Sequence, residues 1–197
     1  MATNNAWNSS VPVEISKGGT NATSMSTSSG IVKFDGTSLV TSTTAQIDSS
    51  NRFTNTSQPA FLAYLSSTQN NVSGDATTYT IICDTEVFDQ GSNYNNATGT
   101  FTAPVTGKYM FCQACYVLGG TSLTAANFQL NTSNRNYRFD GQAALFSSVD
   151  MIFSALADMD ASDTATITVT TSDTGGKVDD VFGAGSPFTW FSAYLVC

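Results

Sequence analysis

The sequence of 197 residues contains no histidine. This absence excludes a histidine general base, a Ser-His-Asp or Cys-His catalytic pair, and every metal site with a histidine ligand. Charged residues are also scarce, at 11% of the chain, whereas Ser, Thr and Asn together supply 69 residues. Because these polar side chains compete with the backbone for hydrogen bonds and Thr favours strands, the composition argues against a helical protein.

Basic residues are fewer than acidic ones, with 7 Lys and Arg against 15 Asp and Glu, and the net charge is −8. So few cations cannot form the clustered patch that nucleic acids or anionic membrane surfaces require. No run approaches 18 apolar residues, so the sequence predicts no transmembrane helix. The segment Met1–Trp7 lacks a basic stretch followed by an apolar one, and we expect no secretory signal peptide.

The four cysteines include one close pair, Cys112-x-x-Cys115, beside the isolated Cys83 and Cys197. The pair lies in an apolar run that reads as a strand, where positions three apart point to opposite faces. A zinc or redox role is therefore disfavoured. The alternative that we prefer is reduced thiols acting as small apolar residues, which fits assembly in a reducing cytoplasm.

The chain changes character near residue 58. Residues 1–58 contain only three of the 22 aromatic residues and have no net charge, whereas residues 59–197 carry the remaining aromatics and all of the net negative charge. We therefore predict two domains, an N-terminal attachment or stalk segment over 1–58 and a head over 59–197.

The first segment is too poor in apolar residues to bury a core of its own. Its short apolar clusters are separated by turn residues such as Asp35-Gly36 and Asp48–Asn51. One interpretation is a disordered arm. The preferred alternative is a stalk that becomes ordered when identical chains wrap around one axis. The clusters are Val11, Val13, Ile15; Ile31, Val32, Phe34; Leu39, Val40; and Ile47 with Phe53.

Residues 59–197 predict an all-β domain. Apolar and polar residues alternate clearly over Ala165–Thr170, and Gly, Asn and Ser clusters separate the apolar runs. The size and spacing favour one sandwich or jelly roll. The predicted strands are Ala60–Leu65, Tyr79–Cys83, Lys108–Val117, Asn127–Leu130, Ala144–Met151 extending to Leu156, Ala165–Thr171 and Phe188–Val196.

The most specific segment is Phe101–Phe111, FTAPVTGKYMF. It resembles the F-x-A-P-x-x-G-x-Y-x-F signature of the C1q/TNF-like jelly roll, in which Pro104 fixes the chain before a turn and Gly107 permits the entry into a strand. The runs Phe61–Leu65 and Phe188–Val196 resemble the first and last strands of that family. Ser162-Asp163-Thr164-Ala165 resembles its G-D-x-V turn, with Ser162 in place of Gly.

The N-terminal part has a resemblance of its own. Ile15–Thr23, ISKGGTNAT, is similar to the S-x-G-G-T-G-A-T segment of bacteriophage tail fibres, and Ile47–Phe61 looks like the connector that precedes C1q-like heads in phage structural proteins. The resemblances together imply a C1q/TNF-like jelly-roll sandwich preceded by an extended, β-rich or irregular trimeric stalk.

The C1q/TNF-like resemblance also implies a homotrimer around a threefold axis, which would bury one face of a sheet. Aromatic residues of the predicted strands are the candidates for the core or the trimer interface, with core packing favoured for any one of them. They are Tyr109, Phe111, Tyr116, Phe191 and Tyr194.

One acidic loop contains Asp158, Asp160 and Asp163. Calcium prefers such oxygen ligands, and some C1q-like heads bind it, but the spacing fits no EF-hand and acidic loops are usually solvated. We therefore assign no cofactor and keep the three residues as weak calcium candidates. A glycosidase would need two carboxylates across a groove, and nothing in the sequence places them so; we expect no enzyme.

These observations favour a homotrimeric phage tail fibre or spike, located in the virion after assembly in the host cytoplasm. Its N-terminal segment would bind another virion protein, and its head would bind a host receptor or glycan through polar loops. Two alternatives remain, a capsid decoration or head-fibre protein and a non-viral trimeric adhesin. The candidate loops are 69–77, 89–98, 131–140 and 173–187.

Overall fold

The computed structural model of the chain describes residues 30–37, 39–141 and 146–196. All regular structure in these ranges is β-strand, which confirms the all-β prediction. No helix among them could span a membrane. The described residues fall into two compact units, one that ends at Ser57 and one that begins at Gln58.

The first unit is a three-stranded antiparallel sheet in the order β1-β2-β3. Both of its turns depend on an aspartate, because Asp35 Oδ1 accepts a hydrogen bond from Thr37 N and Asp48 Oδ1 accepts two, from Ser50 N and Arg52 N. The strands are β1 Gly30–Phe34, β2 Leu39–Ile47 and β3 Phe53–Asn55. The earlier clusters around Val11–Ile15, and the fibre-like segment 15–23, lie outside the described residues.

The second unit is a sandwich of two antiparallel sheets. The front sheet has the order β7-β4-β15-β10-β12, and the back sheet has the order β8-β9-β13-β10-β11. Short strands β5 and β14 pair with each other at one end of the sandwich. The strands are β4 Ala60–Tyr64, β5 Gln69–Ser73, β6 Asp75–Thr80, β7 Thr85–Gln90, β8 Tyr94–Asn95, β9 Thr100–Thr102, β10 Gly107–Thr132, β11 Asn136–Gly141, β12 Phe146–Met159, β13 Thr164–Asp173, β14 Asp179–Val181 and β15 Trp190–Leu195.

Strand β10 belongs to both sheets. Its residues 107–118 pair with β12 and β15 in the front sheet, and its residues 123–132 pair with β13 and β11 in the back sheet. The sequence predicted two separate strands here, with Gly119-Gly120 as a turn. Both glycines lie within the single strand, and glycine in a strand commonly marks such a bend.

Alternate residues of the front sheet fill the core. Along β10, Tyr109, Phe111 and Cys115 are fully buried, as the period of two requires. Aromatic rings connect the layers: Phe61 stacks on Tyr94 with centroids 4.5 Å apart, and Phe101 meets Phe111 edge-on at 5.8 Å. The core therefore lies between the sheets, and the described residues leave the opposite face of the front sheet without cover.

Several strand boundaries differ from the predictions. Residues 69–73 form β5 where the turn-rich sequence predicted a loop, and the strand predicted over 79–83 is instead β6 at 75–80. Strands β7 and β11 were not predicted either. These segments are short and largely exposed, so they lack the apolar alternation that reveals a half-buried strand.

Candidate functional site

The outward side of the front sheet, which we call the front face, carries apolar side chains in ordered rows. One row runs across four strands through Leu156, Met110, Tyr194 and Ala60. The register of the same strands places Ile152, Ala114, Trp190 and Tyr64 in a parallel row. Because residues directly opposite on neighbouring strands have adjacent side chains, each row is a continuous apolar strip.

The front face is exposed in a single chain. Ile152 is 66% exposed, Tyr194 50%, and Leu156 and Phe88 49% each. Soluble monomers rarely leave several large apolar side chains together in water, and contiguous patches of this kind mark interaction surfaces. The front face is therefore the strongest candidate for a protein interface among the described residues.

One part of the front face is concave. A groove of about 320 Å³ lies near β4, β7 and β15, and its surface is mostly apolar. The opposite edge, formed by β12, projects Ile152 and Leu156. The groove is lined by Ala60, Phe61, Leu62, Phe88, Pro187, Trp190, Ser192, Ala193 and Tyr194.

The five aromatic candidates divide between the core and this face. Tyr109, Phe111 and Phe191 are fully buried within the sandwich, and the Tyr109 hydroxyl donates to Val105 O at 2.8 Å. Tyr194 lies on the front face. Tyr116 is half-buried, with its ring edge-on to Phe182 at 5.4 Å. The structure thus brings three candidates together in the core and leaves two available for contacts outside it.

The cysteine pair is divided between the two faces of β10, as the strand interpretation predicts. Cys115 is buried in the core, whereas Cys112 is half-buried on the front face. Burial raises the pKa of both thiols, and burial together with nearby Asp84 raises the pKa of Cys83 to about 12. These three thiols stay protonated at neutral pH and resemble small apolar side chains.

The acidic loop after β12 makes contacts within the protein. Arg135 donates to Asp158 Oδ2 at 2.8 Å, and Asp163 Oδ2 accepts from Asn134 Nδ2 and from the backbone N of Asp160. No group of three His, Cys, Asp or Glu side chains among the described residues is placed to hold a metal ion. The contacts give these carboxylates a role in the turn, and the weak calcium assignment stays a prediction.

Among the exposed residues of the front face, Tyr194 was a candidate from the sequence, whereas Ile152, Leu156 and Phe88 were not identified. For Ile152 and Leu156 the signal is the run over 149–157, VDMIFSALA, whose inward positions are all apolar and whose outward positions carry these two residues beside Asp150 and Ser154. A strand with one solvated face normally alternates with polar residues, whereas apolar residues at both positions indicate burial on both faces. Ile152 and Leu156 could thus have been predicted as covered in an assembly.

Residues 60–196 match the family model described as C1q domain. The chain belongs to the C1q domain family. C1q/TNF-like domains typically form homotrimers, and the family is generally non-catalytic. The match begins at residue 60, so the tail-fibre interpretation of residues 1–58 stays a prediction.

Solved structures resemble much of this C1q-domain chain. The globular domain of zebrafish complement 1qA protein is 16% identical, with 71% of this chain and 98% of that chain covered and a TM-score of 0.48. The crystal structure of murine APRIL at pH 8.5 is 10% identical, with 71% and 99% covered and a TM-score of 0.49. No curated protein matches the sequence significantly.

Proposed function

We propose that this protein is a homotrimeric subunit of a phage tail fibre or spike, whose C1q head binds the surface of the host cell. The observation that carries the trimer is the exposed front face, with Ile152, Leu156, Phe88 and Tyr194 in water in the single chain. A second copy of the chain is the partner that covers it.

The shape of the front face favours a ring of copies. A cyclic trimer joins two unlike patches, one from each neighbouring copy, and closes after three contacts. The front face supplies two such patches, because β12 projects Ile152 and Leu156 at one edge and the apolar groove beside Phe88 and Trp190 lies toward the other. We infer that the β12 edge of one copy packs into the groove of the next.

The N-terminal sheet supports the fibre part of the proposal. Ile31, Val32, Phe34, Ile47 and Phe53 are all exposed in the single chain. Three copies around a common axis would bury these side chains and form a stalk. The order of fibre-like segment, connector and C1q head is the reason for assigning the protein to a virion, assembled in the host cytoplasm, with residues 1–58 bound to another virion protein.

A binding role fits the chemistry of the chain better than catalysis. The sequence has no histidine, and burial keeps the thiols of Cys83 and Cys115 protonated. The head instead presents polar loops on a rigid sandwich, an arrangement that suits recognition. Its proposed ligand is a receptor or glycan of the host surface.

Light scattering of the full-length protein tests the trimer. We expect a mass near three times 20.7 kDa at micromolar concentration. Ile152→Asp should reduce it to one chain, because a carboxylate would lose its water in the interface. The matched control is Val105→Asp, an exposed valine in the loop before β10, which should leave the trimer intact. A monomeric wild-type protein would refute the proposal.

Adsorption of particles to cells tests the host-binding role. Purified wild-type trimer should compete with particles for the host surface, whereas the Ile152→Asp monomer should compete less because it loses multivalent attachment. Particles that lack the protein, adsorb normally and lose capsid stability would instead establish the capsid-decoration alternative.

A further inference from the structure

A second concavity lies at the end of the sandwich where the head begins and ends. It has a volume of about 340 Å³, within the range of small-molecule sites. No residue that lines it also lines the front-face groove. We call it the polar cleft. It is lined by Ser92, Asn93, Tyr94, Asn95, Thr102, Ala103, Pro104 and Ser162.

The polar cleft offers hydrogen-bonding atoms that the described part of the chain does not use. The hydroxyls of Ser92, Thr102 and Ser162 have no partner there, although each residue lines the cleft. Asn95 uses its Oδ1 to accept from Ala97 N, which leaves its amide donor available. Three hydroxyls and one amide thus line a single cavity from the turn after β7, from strands β8 and β9, and from the turn between β12 and β13.

Two of these hydroxyls are held at unusual backbone angles. Ser92 has a φ of 54° and Ser162 a φ of 79°, in the left-handed region that glycine adopts without steric cost. At position 162 the family-like turn usually has glycine, and this chain has serine. A non-glycine residue in a strained backbone conformation that glycine would adopt without cost is often found at a functional site. The hydroxyl that serine adds at 162 belongs to the lining of the cleft.

The cleft selects against charge. Tyr94 is its only ionisable lining residue, and its hydroxyl donates to Cys83 O at 3.1 Å within the core. Behind the lining, the Asp89 carboxylate accepts from the backbone N of Asn93 and of Tyr94. An anion would meet this negative charge without a cation in the lining, whereas a neutral ligand with many hydroxyls would meet donors and acceptors.

We propose that the polar cleft binds one neutral saccharide unit. The free hydroxyls and the Asn95 amide would bind its hydroxyl groups, and the exposed ring of Pro104 would pack against the C–H face of its ring. This inference rests on the proposed function, since it names the ligand class of a binding head. Neutral sugar, rather than sialic acid or phosphate, is the specific claim.

Saturation-transfer difference NMR on the full-length protein tests the cleft. The probes are glucose, galactose and N-acetylglucosamine at millimolar concentration, with N-acetylneuraminic acid as the anionic comparison. We expect transfer to at least one neutral sugar and none to the anion. The double variant Ser162→Gly, Thr102→Val should lower the transfer at least fivefold, because it removes two hydroxyls from the lining.

The double variant is designed to fold. Glycine suits the φ of residue 162, and valine has the shape of threonine at a side chain that makes no hydrogen bond within the described residues. The control Ser186→Gly removes an exposed hydroxyl outside the cleft and should leave the transfer unchanged. No transfer to any neutral sugar, equal transfer to the anion, or equal transfer in the double variant would each overturn the proposal.

The oligomeric state separates this inference from the proposed function. A trimeric protein that competes for the host surface but shows no sugar transfer would refute the cleft alone. A monomeric wild-type protein would refute the trimer, whether or not it binds sugar.

Discussion

In the head, Phe61, Phe101 and Phe191 are at most 1% exposed, whereas Phe34 and Phe53 of the N-terminal sheet are 57% and 61% exposed. Both regions are antiparallel sheets rich in Ser and Thr. They differ because the head has a second sheet to pack against and the described N-terminal sheet has three strands alone. A single small sheet cannot bury both of its faces, so its apolar residues become useful only when another chain covers them.

The largest expected difference between the regions is in core packing. Phe61→Ala should destabilise the head by about 3–5 kcal/mol, because it leaves a cavity among the rings of Tyr94, Phe101 and Phe191. Urea unfolding, followed by Trp190 fluorescence in a Trp7→Phe background at fixed protein concentration, measures this change.

The matched control for that cavity is Phe53→Ala in the N-terminal sheet. An exposed side chain should change the unfolding of the head by less than about 0.5 kcal/mol. It should instead weaken the assembly of the stalk, measured as a rise in the concentration at which trimers dissociate. A loss of head stability comparable to that of Phe61→Ala would contradict the separation of the two regions.

Two glycines with positive φ provide the next comparison. Gly74 in the head and Gly36 in the N-terminal sheet have φ of 116° and 101°. A Cβ at Gly74 would overlap the carbonyl oxygen of Gly176, whereas a Cβ at Gly36 would meet nothing within 4 Å. Gly74→Ala should therefore cost about 2–4 kcal/mol, from the overlap and the strained backbone together.

Gly36→Ala should cost only the backbone strain, about 1–2 kcal/mol, and only in the N-terminal sheet. Thermal unfolding of both variants, with circular dichroism as the signal, measures the difference. Equal losses would show that the packing around Gly74 yields to an added methyl group.

The core of the head also contains a polar residue at a position where the alternation of β10 places apolar side chains. Gln113 lies on β10 between Phe111 and Cys115, fully buried, and neither polar atom of its side chain has a hydrogen-bond partner among the described residues. A buried amide without partners costs its full desolvation. Gln113→Met should therefore stabilise the head by about 1–3 kcal/mol in urea unfolding.

Gln129 is the matched control for this substitution. It lies in the second half of β10, is half-buried, and donates to Asn127 Oδ1 at 2.7 Å. Gln129→Met loses that hydrogen bond, so it should not stabilise the head in urea unfolding. A destabilising Gln113→Met would mean that an internal water satisfies the buried amide.

The predictions from sequence succeeded where local chemistry decides the structure. The alternation over 165–170 lies in β13, and β10 begins at Gly107, where the resemblance implied the entry into a strand. They were wrong where pairing decides: Gly119-Gly120 became the bend of one strand, and 69–73 became a strand beside β14. Tyr109 and Tyr194 could not be separated either, because only the register shows which faces the core.

Acid should affect the turns of both regions, with the smallest effect of this series. Hydrogen bonds from Arg52 lower the pKa of Asp48 in the N-terminal sheet, and hydrogen bonds from Thr77 lower that of Asp75 in the head. A carboxyl with a depressed folded pKa contributes stability above its unfolded pKa, near 4, and loses it as the pH falls through the folded value. Stability should therefore be constant from pH 7 to about 5 and decline below about 4.

Asp48→Asn isolates the N-terminal part of this decline. The amide keeps an oxygen that can accept from Ser50 N and Arg52 N, but it does not titrate and loses the ion pair with Arg52. Melting of the N-terminal sheet should become less dependent on pH below 4 in this variant, whereas melting of the head should decline as in the wild type. If the pH dependence of both regions changes together, the stability of the N-terminal sheet is coupled to that of the head. The two regions would then unfold as one cooperative unit, and the head would not be stable independently of the sheet.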